Sequence, residues 1–335
     1  MHKSRRFVLA RRPRGQVVVD DFAADHVELP ALQDGELLLE TLWISIDPAM
    51  RGWLDDRPNY LPPVRLGEPV RALGLARVLE SRTPEFDTGQ VVRGFVGWQE
   101  RFISADASAW ELITESPDVP LPSRLGVLGM TGMTAWVGMK EIAEVGPGDT
   151  VVVSAAAGAV GSVAAQIAKA AGCRVVGIAG GPEKCRLLTE TLGLDAVVDH
   201  RASDWRAQLE RATPSGIDVD FENVGGQIME EIIDRLNNHA RIVLCGLIEG
   251  YNLEQRPPGP RNFGKLLTKR VRLQGFIALD HFDRTAEIER SLTGMISRKQ
   301  IRPLDTLVHG FESLPEVFVS SFSSQHVGKL IVGIN

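Results

Sequence analysis

Residues 155–161 read Ala-Ala-Ala-Gly-Ala-Val-Gly, and side chains this small let the backbone close on a bulky anion. The run falls between a strand-like Val151-Val152-Val153 and a helical period, with Val160, Val163, Ala164, Ile167 and Ala168 at i, i+3, i+4, i+7 and i+8. A helix beginning there presents unpaired N–H groups and the positive end of its dipole, which suits a pyrophosphate. Gly158 and Gly161 take the second and third glycine positions of the dinucleotide fingerprint, with Ala156 in place of the first. Ala159 and Val160 supply backbone amides between them. Glycines at this spacing also serve where they only ease helix–strand packing, so the strand–turn–helix context carries the reading.

The end of the next strand discriminates between dinucleotides. A site for NAD places Asp or Glu there, to accept from the ribose hydroxyls. Here residues 174–178 run into Ala179-Gly180-Gly181-Pro182-Glu183-Lys184, with no acid at the strand tip. Lys184 offers a cation to a 2′-phosphate, so NADP(H) is expected, with Glu183 turned away. The plainer alternative leaves Lys184 as a solvated helix residue.

A parallel sheet must hold these residues, and the chain has the texture of one from Gly126 onward. Strand-like runs at 151–153, 174–178, 196–198, 218–222, 241–244 and 271–276 alternate with helical patterns at 183–192, 227–236 and 285–296. Such alternation predicts an α/β domain. The first 125 residues instead show short apolar runs at 17–19, 36–40, 76–79 and 91–92 between turn residues, which reads as a β-rich domain. From Arg302 the pattern changes again, with strands expected at 306–308 and 329–332 around a short helix at 314–320. That segment either ends the second domain or returns to the first.

Length and composition bound the rest. At 335 residues the chain exceeds what one core serves, and 44% hydrophobic with 24% charged residues is ordinary for a globular protein. A formal charge of -6 argues against nucleic acid, although Lys3, Arg5, Arg6, Arg11, Arg12 and Arg14 cluster near the start. Three cysteines, Cys173, Cys185 and Cys245, form neither a disulfide framework nor a four-cysteine zinc site. A reducing, cytoplasmic setting is expected, because the apolar run in the first twelve residues is too short for an export signal. Residues 151–168 carry no formal charge but divide into a strand and a small-residue helix, so no membrane span is expected.

Several segments resemble the zinc-independent medium-chain dehydrogenase/reductases. They are Ile46-Asp47-Pro48, Met50-Arg51-Gly52-Trp53, Arg71-Ala72-Leu73-Gly74, Gly97-Trp98-Gln99-Glu100, Leu128-Gly129-Met130 with Gly132-Met133-Thr134-Ala135, residues 152–161 and 180–185, Asn223-Val224-Gly225-Gly226, and Cys245-Gly246-Leu247 with Tyr251-Asn252. The chain is most similar to the leukotriene B4 12-hydroxydehydrogenase / prostaglandin reductase / alkenal double-bond reductase branch, collinearly over nearly its whole length. The resemblance implies a GroES-like β-barrel catalytic domain over 1–125, a Rossmann doubly wound NADP-binding domain over 126–301, and a return to the first domain over 302–335. The cofactor would lie in the cleft between them, often in a homodimer.

By that resemblance Gly158, Ala159, Val160 and Gly161 hold the pyrophosphate and Lys184 the 2′-phosphate. Asn223, Cys245, Tyr251 and a strand at Phe276, Ile277 and Ala278 line the ribose and nicotinamide; Asn223, Cys245 and Phe276 also fall near carboxyl ends of expected parallel strands, where open α/β sheets bind ligands. The chain has two tyrosines, Tyr60 and Tyr251, both in segments that the family places beside substrate and nicotinamide. Each phenol is either a donor to a carbonyl oxygen as enolate charge develops, or a rim tyrosine that packs without chemistry. Asp47 and Arg51 read as a structural ion pair more readily than as pocket residues.

Three departures stand out. Ala49 replaces the tyrosine usual after Asp-Pro, His200 a tyrosine near the adenosine phosphate, and His326 an asparagine before x-Gly-Lys. The first alters the substrate pocket, and the histidines keep hydrogen-bonding capacity at two cofactor contacts. No metal is expected, since the first 125 residues hold no cysteine and only His2 and His26. The implied activity is NADPH-dependent saturation of small-molecule enones and enals. A zinc-free quinone reductase and a non-enzymatic NADPH-binding protein are the alternatives.

Overall fold

A computed structural model describes residues 2–114, 119–255, 257–323 and 325–334. They form two compact units: Met1–Leu125 with Thr306–Gln325 and Leu330–Asn335, and Gly126–Asp305 with His326–Lys329. The last 34 residues therefore divide, and the stretch holding His326 belongs to the second unit.

The strands in chain order are β1 His2–Leu9, β2 Phe22–Leu29, β3 Leu37–Ile46, β4 Leu73–Ser81, β5 Val91–Phe95, β6 Arg101–Ser104, β7 Glu111–Leu112, β8 Thr150–Val153, β9 Arg174–Ala179, β10 Ala196–Asp199, β11 Ile217–Glu222, β12 Leu236–Leu244, β13 Arg272–Gly275, β14 Asp305–His309 and β15 Lys329–Gly333. The α-helices are α1 Met130–Val137, α2 Ala159–Ala170, α3 Pro182–Arg186, α4 Trp205–Ala212, α5 Gly226–Arg235, α6 Gly264–Thr268, α7 Thr285–Ser297 and α8 Leu314–Ser320.

In the first unit β3 is the organiser. Its first half pairs with β6 and its second half with β15, while β4 runs along most of its length. Leu37 and Leu39 face the core, and so do Ile44 and Ile46. That change from odd to even positions needs an irregularity between them, and the register with β4 shifts between Thr41 and Trp43. Trp98 fills the centre, 4.9 Å from the Phe22 ring and 5.7 Å from Phe318 of α8, which explains why α8 packs with this unit. The expected strand at 17–19 is not one: Val19–Asp21 is a 3-10 turn between β1 and β2. Asp21 makes that turn by accepting from Val18 N at 2.9 Å and Arg11 Nε at 2.8 Å. Other basic residues near the start are engaged within the same unit, Arg6 with Asp25 and Arg12 with the Leu54 and Val64 carbonyls.

In the second unit six parallel strands lie in the order β10-β9-β8-β11-β12-β13. This is the doubly wound arrangement, with its direction reversing between β8 and β11. Val151 to Val153, Val175, Val176, Ile178, Val219 and Phe221 are all buried, as expected for strands covered on both faces. The helix expected over 183–192 is α3 followed by a π-helical turn, Leu187–Thr191. The strand expected at Phe276–Ile277–Ala278 is corrected: β13 stops at Gly275, and Ala278 opens a 3-10 helix, Ala278–Arg284. Among the described residues no helix is long and apolar enough to cross a membrane.

Candidate active site

The glycine-rich turn leaves β8 at Ser154 and enters α2 with Gly158 at the cap. Ala155 holds a positive φ of 49°, a left-handed conformation that costs a residue with a β-carbon about 1–2 kcal/mol. Hydrogen bonds from Gly158 N to Ala155 O and from Ala156 N to Ile178 O, both 2.9 Å, impose it. The first amides of α2 have no acceptor within the helix and point out of its N-terminus. Gly161 lies behind the turn, where a β-carbon would stand 2.4 Å from Ala155 O. Glycine at 161 thus lets α2 pack closely against the turn. Gly328 runs beside the turn, bridging to Gly158 and donating to Ala157 O at 2.8 Å. With φ of +65° and Leu304 O only 1.9 Å from a built β-carbon, position 328 accepts glycine alone.

Positive charge gathers past the end of β9. Asp199, at the tip of β10, accepts from Gly181 N at 2.8 Å and from Arg201 N at 3.0 Å, so this acid fixes backbone. Gly180 leaves room for an imidazole and a guanidinium: a β-carbon there would lie 2.8 Å from His200 Nε2 and 2.9 Å from Arg201 Nε. Glu183 is exposed and Lys184 half-buried. Burial, then Arg201, lowers the Lys184 pKa. Burial also lowers His200, with Arg201 and Lys184 acting in the same sense against Asp199. His326 is pushed down to about 4 by burial and by Lys184 and Lys329, and its Nδ1 is buried with no hydrogen-bond partner. Crowded cations with an orphaned ring nitrogen fit a multiply charged anion such as a nucleotide phosphate.

A second cluster sits at the sheet's switch point, where β8 and β11 end. Glu222 Oε1 accepts from Ser154 Oγ at 2.7 Å, Val224 N at 2.5 Å and Gly225 N at 3.0 Å. Asn223 donates its N to Ser154 Oγ and its Nδ2 to Ser154 O, both at 2.7 Å. The loop after β12 is held on this turn by bonds from Cys245 N and Gly246 N to Glu222 O, Ile248 N to Asn223 O, and Glu249 N to Val224 O. The same loop carries Tyr251, whose hydroxyl lies 3.2 Å from the β-carbon position of Gly246. Burial raises the Tyr251 pKa, opposed by a bond from the Leu247 backbone. Burial and the Glu222 charge push the Cys245 thiol up to about 12. Phe276 and Ile277, both half-buried, follow Gly275, which pairs with Leu244 at the end of β12.

Lys184, His200 and His326 are thus gathered at one turn, and Asn223, Cys245 and Tyr251 at another. Arg201, Asp199, Ser154 and Glu222 are missing from the sequence-derived site. For Arg201 and Glu222 a signal existed, since both stand at or just beyond the ends of expected strands. Tyr60 belongs to the first unit, 42% exposed, with its ring edge-on to Trp53 at 6.1 Å. Ala49 and Arg51 lie on a 3-10 turn, Pro48–Trp53. Arg51 is buried and donates to Asp55 at 2.7 Å and to Gly15 O at 3.1 Å, while Asp47 accepts from Ser45 Oγ. Arg51 therefore serves structure, and Asp55 is the acid it meets.

Comparison with known proteins agrees with this geometry. Residues 5–112 match a family model described as the N-terminal domain of oxidoreductase, and residues 159–294 one described as zinc-binding dehydrogenase. Among the described residues no group of three or more His, Cys, Asp or Glu could hold a metal ion. An NADPH-dependent curcumin reductase of Escherichia coli (strain K12) is 41% identical, across 99% of this chain and 97% of that protein. A 2-alkenal reductase (NADP(+)-dependent) of Nicotiana tabacum is 37% identical, across 90% of this chain and 88% of that protein. The crystal structure of CurA in complex with NADPH from Vibrio vulnificus superposes with a TM-score of 0.94 at 39% identity, covering 99% of each chain. The chain belongs to the zinc-independent medium-chain dehydrogenase/reductases, in their alkenal and prostaglandin reductase branch.

Proposed function

We propose that the protein is an NADPH-dependent reductase of the carbon–carbon double bond in α,β-unsaturated ketones and aldehydes. The observation that carries the reading is the Tyr251 phenol, held at the switch point of a sheet whose neighbouring turn gathers cations. The NADPH dependence in the name of the curcumin reductase and the NADP(+) dependence in that of the alkenal reductase support the cofactor, and the substrates they name support the bond reduced.

In this reading the turn from Gly158 through Ala159 and Val160 to Gly161 holds the pyrophosphate, with the first amides of α2 directed at it. Lys184 and His200 hold the 2′-phosphate, joined by Arg201, and His326 offers its free ring nitrogen to the phosphate side. Asn223, Cys245, Tyr251, Phe276, Ile277 and Ala278 line the ribose and nicotinamide. Bound NADPH supplies the hydride. Tyr251 donates to the substrate carbonyl oxygen as enolate charge develops, and its raised pKa keeps the phenol protonated for that task. Tyr60 is a second candidate donor. Protonation of the α-carbon by water completes the saturation. The high pKa of Cys245 also matters, because a thiolate beside an enone would add to it and inactivate the enzyme.

The test uses NADPH deuterated at C4 and a simple enone, with Tyr251→Phe beside wild type. We expect the label at the β-carbon of a saturated ketone, with the variant lowering kcat and kcat/KM together. Label at the carbonyl carbon of an allylic alcohol, or turnover of quinones and no enone, would overturn the reading.

A further inference from the structure

We propose that Glu222 is a positioning residue that sets the Tyr251 phenol in place, acting through the turn at 223–225 and the loop at 245–251. The inference rests on the reading of Tyr251 as a donor.

Glu222 is wholly buried, yet its carboxyl group takes no part in the sheet. The ladder from β11 to β8 and β12 is backbone pairing. All three donors to Oε1 come from the loops, Ser154 Oγ where β8 ends and Val224 N and Gly225 N where the chain turns away. The carbonyls of the same turn then carry the next loop, Glu222 O binding Cys245 N and Gly246 N, and Asn223 O binding Ile248 N, one 3-10 turn before Tyr251. The two loops also interlock. Gly226 has φ of +53°, and a β-carbon there would stand 1.4 Å from Glu249 Oε2, so the Glu249 side chain lies across the turn. Position 223–226 is therefore defined from both sides, and the carboxyl of Glu222 is what pins its inner side.

Asp220 explains how Glu222 stays an acceptor. It lies two residues earlier, on the same face of β11, wholly buried and with neither carboxyl oxygen hydrogen-bonded. Two such acids cannot both ionise in a dry core, and the one facing three donors keeps the charge more readily than the one facing none. Burial and the neighbouring acid hold the Asp220 pKa far above its usual range. Burial raises Glu222 as well, but the bonds from Val224, Gly225 and Ser154 oppose it, so the proton is held more firmly by Asp220.

The test reads the phenol directly. In a Tyr60→Phe background Tyr251 is the sole tyrosine, so 3-fluorotyrosine labelling yields one 19F resonance. In the same background, Glu222→Ala should move and broaden that resonance and lower kcat about ten- to a hundredfold, as a misplaced group does. Glu222→Gln retains an acceptor oxygen and should restore most of both. Should Glu222→Ala fail to fold, Ser154→Ala, which removes one donor, should shift the resonance in the same direction by less. An unmoved resonance in a folded Glu222→Ala or Ser154→Ala variant, or a Gln variant as damaged as the Ala one, would overturn the proposal. If Tyr251→Phe itself leaves kcat unchanged, the donor reading fails, while the resonance still decides whether Glu222 sets the loop.

Discussion

Replacing Lys184 by alanine removes a half-buried ammonium whose pKa is depressed by burial and by Arg201. That depression reports chiefly the desolvation of the ammonium and in smaller part its repulsion by Arg201, and a phosphate dianion would offset both. A hydrogen bond to a charged group contributes about 1.5–3 kcal/mol. Partial exposure of the ammonium admits solvent screening, which favours the lower end, about 1.5–2 kcal/mol. Lys184→Ala should then weaken NADPH about ten- to thirtyfold. NADH lacks the 2′-phosphate, and its affinity should change less than about twofold, a shift of ~0.4 kcal/mol. Arg201 is exposed, so Arg201→Ala should cost less, about three- to tenfold for NADPH. The double variant should lose less than the product of the two, because either deletion also removes repulsion. Fluorescence titrations of both cofactors at fixed ionic strength decide the matter. Equal weakening of NADPH and NADH would place Lys184 on a part common to both, and unchanged NADPH affinity would remove it from the site.

Two further outcomes follow from the perturbed groups. His326 has a folded pKa of about 4 against about 6.5 when unfolded, so its contribution to stability is whole above about pH 6.5 and is lost as pH falls toward 4, because the unfolded chain takes the proton first. Discounted for exposure this is about 1–2 kcal/mol; urea unfolding of wild type and His326→Asn between pH 7 and 4 should show a flatter profile for the variant, and parallel profiles would contradict it. Cys245, pushed up to about 12, should alkylate with iodoacetamide at pH 7.5 about a thousandfold more slowly than an ordinary thiol of pKa about 8.5; rapid labelling of its peptide by mass spectrometry would show a thiolate at the site.

How much of this was legible from the chain differs between elements. The unit β8–α2–β9 reads directly, because strands covered on both faces must be unbroken apolar runs and α2 repeats its apolar residues at helical spacing. β1 does not read so, since Lys3, Arg5 and Arg6 interrupt it, and the acids that pair with two of these are remote in sequence, Glu100 for Arg5 and Asp25 for Arg6. The valines at 17–19 resemble a strand but lie at a reversal that Asp21 enforces through the backbone.

Local chemistry was settled by residue type: a turn of small residues before a helix, a strand tip without an acid, a lysine at the start of the next helix and only two tyrosines. Those features depend on neighbours within a few positions, so one sequence suffices to state them. Which side chains share a site was decided by tertiary structure. Ser154 meets Glu222 from 68 positions away, and His326 reaches the group around Lys184 only because residues 326–329 depart from their flanking segments and run beside the glycine-rich turn. The pKa values of His326, Cys245 and Tyr251 likewise belong to the fold, because burial, the first cause of each shift, exists only once the chain has packed.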